Sequence, residues 1–196
     1  MPKLKSSDLI LLILYSPGYT QEFCEPINGR TKITKMLFVF EQEYAKKFKL
    51  SDLVAVQEIK DIFKFEPWSY GPMSKQVLKD IEFLKSIDFV SSKPSNGDPL
   101  SDEEVHELVS YEGDEEMEEM EFKRYDSELF WLTALGKQFV VESGKYNSLS
   151  IEQKLILQEF KSQFNRARTI DILRYVYTNP RYKQYIAKSV IKDRIC

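Results

Sequence analysis

Residues 66–90 read Glu66-Pro67-Trp68-Ser69-Tyr70-Gly71-Pro72-Met73-Ser74-Lys75-Gln76-Val77-Leu78-Lys79-Asp80-Ile81-Glu82-Phe83-Leu84-Lys85-Ser86-Ile87-Asp88-Phe89-Val90. Pro67, Gly71 and Pro72 predict a rigid reversal, because proline fixes φ and glycine tolerates left-handed backbone. Val77, Leu78, Ile81, Leu84 and Ile87 then recur at three- and four-residue steps, which predicts an amphipathic helix with Pro72 in its first turn. Ser74, Lys75, Gln76 and Lys79 fall on the opposite side of those first turns. Trp68 and Tyr70 are expected to staple the reversal to the core. Asp88-Phe89-Val90 begins a strand.

Phe122–Thr133 reads as a returning strand, and Leu132-Thr133-Ala134-Leu135-Gly136-Lys137 leads into a helix that ends near Gly144. Helix, strand, long hairpin, strand, helix is the back half of a winged helix-turn-helix, a layout that lets one helix enter a nucleic-acid groove. The expected fold class is therefore α+β, mostly α: a winged helix-turn-helix with a long wing insertion and a C-terminal helical extension.

The N-terminal half supports the same layout. Ser6-Ser7-Asp8 can cap a helix carrying Leu9, Leu12, Ile13 and Tyr15, stopped at Pro17-Gly18. After the turn at Pro26–Thr31, a helix places Ile33, Met36, Leu37, Phe40 and Tyr44 on one face and Lys32 and Lys35 on the other. Ser51–Ile62 predicts a short amphipathic piece, and Phe63-Lys64-Phe65 a short strand. At the C-terminal end, Ser150-Ile151-Glu152-Gln153 gives a capping-box-like start to a helix striped with Leu155, Ile156, Phe160 and Phe164. Thr169-Ile170-Asp171 starts another, halted by Asn179-Pro180, and a last helix is expected over residues 182–192. The expected division is a winged-helix domain over 1–145 and a helical extension over 146–196. Tyrosines interleaved with arginines and lysines in that extension suit a dimer interface, or else a helix pair covering the core.

The net charge of −3 hides an asymmetry. Residues 94–122 hold twelve acids and no lysine or arginine, which leaves the rest of the chain at +9. The acidic segment, taken as 91–121 within the wing, has three readings: a solubilising loop, a contact for a basic partner, or an autoinhibitory mimic of phosphate that folds over the basic body. Under the last reading, deleting residues 95–120 raises DNA affinity.

Catalytic signatures are missing. The only histidine, His106, sits among the acids, so a histidine triad or multi-histidine metal site cannot be assembled. Asp114 with Glu121-Phe122-Lys123 faintly imitates a nuclease motif, as any acid run does. Cys24 and Cys196 lack metal-ligand spacing, and there is no phosphate-binding glycine loop. No enzyme activity, cofactor or metal is expected. No apolar run approaches the roughly 18–20 residues of a membrane span, so no membrane partner and a cytoplasmic location are expected.

Three blocks carry a resemblance: Gly29-Arg30-Thr31-Lys32-Ile33-Thr34-Lys35-Met36-Leu37-Phe38, Phe65-Glu66-Pro67-Trp68-Ser69-Tyr70-Gly71-Pro72-Met73-Ser74, and Asp80-Ile81-Glu82-Phe83-Leu84. Together residues 27–90 resemble the prokaryotic winged-helix family of YwgA-type proteins and SocA-like antitoxins (Panacea domains). The family usually shows Leu-Gln where this chain has Ile33-Thr34. The resemblance implies a regulatory or antitoxin-like, non-enzymatic role and no defined ligand.

Double-stranded DNA is the first expected partner, since its affinity comes largely from lysines and arginines that neutralise phosphates. Ser74, Lys75, Gln76 and Lys79 would enter the groove, where short or bidentate polar groups read base edges. Arg30, Lys32, Lys35, Lys93, Lys123 and Arg124 would position the phosphates. The leading expectation is a non-catalytic transcription regulator in a toxin–antitoxin or defence setting. The alternative is a protein-interaction module that binds no DNA, acting through the winged surface, the acidic insert or residues 146–196.

Overall fold

A computed structural model describes residues 3–54, 60, 62–95 and 128–189. The protein is an α+β fold, mostly helical, with two small antiparallel sheets. In chain order the elements are α1 (Ser6–Tyr15), β1 (Ile27–Asn28), α2 (Arg30–Val39), a π-helical turn (Phe40–Tyr44), α3 (Leu50–Leu53), β2 (Glu66–Trp68) and β3 (Gly71–Met73). They continue with α4 (Lys75–Ser86), β4 (Val90–Pro94), β5 (Glu128–Leu132), α5 (Ala134–Glu142), α6 (Ile151–Arg166), α7 (Thr169–Thr178), a 3-10 turn (Pro180–Tyr182) and α8 (Lys183–Ile186).

From Leu9 to Leu14 helix α1 is apolar on every side and buried on every side. Its start is held by the Lys5 backbone N–H donating to Asp8 at 2.9 Å, a task the sequence had assigned to Ser6-Ser7-Asp8 together. Lys145 closes on the other Asp8 oxygen at 2.5 Å. At the far end, the ammonium of Lys161 on α6 donates to the carbonyls of Leu14 and Ser16, both at 2.8 Å. Those are carbonyls that a helix terminus leaves without internal partners. Lys161 is fully buried, and burial pulls its pKa down to about 8, an effect that Glu25 and Cys24 only partly offset.

Helix α2 lies at the centre, packed by α7 on one side and β3 on another. Its core residues Ile33, Met36 and Leu37 are where the periodicity puts them. The π-helical turn extends it, and Glu43 there accepts the phenol of Tyr175 at 2.6 Å, the phenol of Tyr182, and the amide of Asn179 at 3.3 Å. Together these tie the C-terminal helices to the N-terminal half. Phe40, Phe160, Phe164 and Tyr44 pack ring to ring beneath this latch.

The three-stranded sheet has the order β1-β5-β4, with Ile27 opposite Phe130 and Val90 opposite Leu132. Arg30 locks its root, donating to Glu82 of α4 at 2.7 Å and to Glu128 of β5 at 2.8 Å. Ser92 donates to Glu128 as well, at 3.0 Å. Thr133 caps α5 by accepting from the Gly136 N–H at 3.0 Å, and Ser150 and Gln153 form a closed capping box at α6.

Several local expectations change. Phe63-Lys64-Phe65 is not a strand: Lys64 has φ 54°, and this left-handed kink lets Phe63 and Phe65 both turn inward. Pro72 belongs to β3, and α4 starts later, at Lys75, with Ser74 as its cap. Ile87 follows the end of α4 and is 36% exposed rather than buried. The last helix is only the short α8, and residues 190–196 lie outside the described residues. So do residues 96–127, hence most of the acidic segment. No helix among the described residues is long and apolar enough to cross a membrane.

Candidate nucleic-acid interface

Helix α4 is amphipathic, with Val77, Ile81 and Leu84 on the core and Lys75, Lys79, Glu82 and Phe83 exposed. Ser74 is fully buried. Its hydroxyl donates to the Phe63 carbonyl and accepts from the Val77 N–H at 3.0 Å, so it caps the helix and reads no base.

Three proposed phosphate contacts are also internal. Lys32 and Lys35 are each 4% exposed, against the expectation that they line an outer face. Lys32 donates to the Asn165 carbonyl at 3.1 Å, and Lys35 to the carbonyls of Tyr70 and Pro72 at 2.7 and 2.8 Å. Their stems lie in the core while their ammoniums satisfy backbone oxygens. Arg30 is held between Glu82 and Glu128. Burial opposes its charge, but the two carboxylates outweigh burial and keep the guanidinium ionised.

The surface keeps Lys75, Gln76, Lys79 and Lys93. Gln76 donates to Asp80 at 2.9 Å, which leaves its carbonyl oxygen for other partners. Lys93 lies on β4 with its ammonium over Trp131, 5.9 Å from the ring centroid. Lys123 and Arg124 fall outside the described residues.

The structure joins these to residues that the sequence marks for other roles, Trp68 as a core staple and Lys64 as part of a strand. Lys75, Gln76 and Lys79 form one wall of a cavity of about 210 Å³; Lys64, Glu66, Trp68 and Met73 form the other. Trp68 is 44% exposed, so only its neighbour Tyr70 packs against the core. The Lys75 ammonium sits 5.8 Å from the Trp68 ring centroid, within cation–π range. Among the described residues, no carboxylate lies within ion-pair distance of Lys64, Lys75 or Lys79.

The hairpin that carries Trp68 is fixed from behind. Besides Lys35, Ser189 donates to the Ser69 carbonyl at 2.9 Å and shares a 2.6 Å hydrogen bond with the Tyr177 hydroxyl. Gly71, at φ +77°, faces that hydroxyl so closely that an added Cβ would lie 2.8 Å from it. The indole is thus an exposed ring on a rigid support. A second cavity of about 450 Å³, beside Leu4 and Leu149, offers no comparable charge. Lys3 there donates to the Asp52 carbonyl and Lys145 pairs with Asp8.

No group of three or more histidine, cysteine, aspartate or glutamate side chains suited to a metal ion occurs among the described residues. Comparison of the chain with protein-family models, curated proteins and solved structures returns no match.

Proposed function

We propose that the protein is a non-catalytic regulator that binds double-stranded DNA, in which α4 is the recognition helix of a winged helix-turn-helix and β4–β5 its wing. The succession α1, β1, α2, α4, β4, β5, with the π-helical turn, α3 and the β2–β3 hairpin set between α2 and α4, and the strand order β1-β5-β4 support that reading. In such an arrangement the N-terminal part of the recognition helix meets the base edges and the wing meets the backbone. The carrying observation is that Lys75 and Lys79, on the first turns of α4, are exposed and free of carboxylate partners among the described residues. Free ammoniums on an exposed helix face bind phosphate by releasing counterions. Lys93 extends the same role to β4, and a toxin–antitoxin or defence role belongs to the same proposal.

Retardation of a random-sequence duplex pool at low salt tests it. The wild-type protein is expected to retard the duplex and Lys75→Glu/Lys79→Glu to lose the shift while keeping its unfolding midpoint. Unchanged retardation in the double variant contradicts the reading.

Phe83, 54% exposed, and Ile87, just beyond the end of α4, favour a second reading, in which this face meets a protein. A stable protein complex that Phe83→Ser disrupts, with no duplex shift at any salt, selects it.

A further inference from the structure

The cavity beside α4 has a composition that groove docking does not require. Three lysines, Lys64, Lys75 and Lys79, line it with a single acid, Glu66, so the space attracts anions. Trp68 adds a flat π surface at its edge, and among the described residues no other ring packs on it. Gln76 lines the same wall with a carbonyl oxygen free to accept. A volume of about 210 Å³ exceeds that of a single ion site, since on the order of 15 Å³ admits one water.

We infer that this cavity binds a nucleotide unit, its base stacked on Trp68 and its phosphate held by Lys75, Lys79 and Lys64. A cationic cleft beside an aromatic platform is how proteins hold unpaired nucleotides without sequence preference. The hairpin's anchorage through Lys35, Tyr177 and Ser189 keeps the ring in place, so little ordering opposes binding. An acidic peptide would satisfy the ammoniums but leave the indole face unused. The inference shares Lys75 and Lys79 with the duplex reading but adds Trp68 and Lys64, and the two can fail separately.

The chain has two tryptophans, so Trp131→Phe leaves Trp68 as the sole indole reporter. In that background the fluorescence is titrated with adenosine 5′-monophosphate, adenosine, inorganic phosphate, a single-stranded tetra-deoxyadenylate and an oligoglutamate. Saturable quenching by the monophosphate or the tetranucleotide is expected, with adenosine and phosphate each at least about fivefold weaker, because stacking and phosphate contacts act together. Comparable affinity for the monophosphate and the tetranucleotide assigns the site to a free nucleotide; much tighter tetranucleotide binding assigns it to a strand. Binding followed calorimetrically should weaken about five- to a hundredfold in Trp68→Ala, as base–aromatic stacking requires. Lys79→Gln should weaken the monophosphate and leave adenosine unchanged. No saturable response, equal binding of adenosine and the monophosphate, or oligoglutamate binding as tightly as the tetranucleotide overturns the inference. Duplex retardation by Trp68→Ala, measured in parallel, keeps a failure here distinct from a failure of the duplex reading.

Discussion

The buried ammonium of Lys35 donates to the Tyr70 carbonyl at 2.7 Å, joining the central helix to the turn that presents Trp68. The same ammonium donates to the Pro72 carbonyl at 2.8 Å. A lysine that periodicity alone assigns to solvent is therefore the inner fastening of the exposed hairpin. Lys35→Met keeps the stem but leaves two carbonyls without this donor, which should destabilise the protein by about 2–4 kcal/mol in urea unfolding. In the Trp131→Phe background, acrylamide should also quench Trp68 more readily in the variant, as the hairpin loosens before the core does.

Glu43 carries the second fastening. Burial first, and then hydrogen bonding to this carboxylate, hold the Tyr175 and Tyr182 phenols above the ordinary tyrosine range. A phenol that keeps its proton more tightly when folded stabilises the protein at neutral pH. That contribution is lost as the pH climbs past about 10, where the unfolded chain ionises. Glu43→Gln should destabilise by about 1–3 kcal/mol. It should also bring phenolate absorbance in at lower pH, and an unchanged titration curve would count against the latch.

Gly136 stands where the start of α5 presses on the Phe89 backbone, and an added Cβ would overlap the Phe89 carbonyl oxygen. That oxygen accepts from the Thr133 N–H at 3.1 Å, so it cannot shift without breaking the strand-to-helix join. Gly136→Ala should cost about 2–4 kcal/mol despite alanine's better helix propensity, read from the unfolding midpoint.

Lys161 gives the pH dependence of stability a definite sign. Its ammonium titrates near 8 in the folded protein against an ordinary 10.5, so the unfolded chain binds more protons between those values. Stability should therefore rise with pH across that window, by up to on the order of 3 kcal/mol, and the penalty is fully present below about pH 8. Cys24, whose thiol burial pushes up, acts in the opposite sense above its ordinary 9.0. Lys161→Met also removes a charge that holds the Cys24 thiol down, so the comparison with the wild type is read below pH 9, before that thiol ionises: there the variant should lack the rise between pH 8 and 9.

Local chemistry was legible where the partners are near in sequence. Val77, Ile81 and Leu84 declare α4 by spacing, Asn179-Pro180 ends α7, and Ser150 caps α6, although Gln153 and not the acid Glu152 closes its box. Lys32 and Lys35 were misread because their partners, Asn165, Tyr70 and Pro72, come from remote segments that cover α2. Periodicity marks the apolar face of a helix but not whether a second layer lies over the other face. Ser74 misled for a related reason, since the residue types that read bases also cap helices. Trp68 and Lys64 gave no signal: an indole in a turn reads as a core anchor, and the left-handed Lys64 breaks the alternation that suggested a strand.

The salt dependence of duplex binding tests the central claim most directly. Fluorescence anisotropy gives log K against log salt for the wild type and for Lys75→Gln/Lys79→Gln, with matched unfolding midpoints as the control for folding. If both ammoniums meet phosphates, the slope of the wild type is steeper by about 2, roughly one for each lysine removed. Equal slopes, or wild-type binding too weak to measure even at low salt, would mean that the exposed end of α4 does not contact DNA.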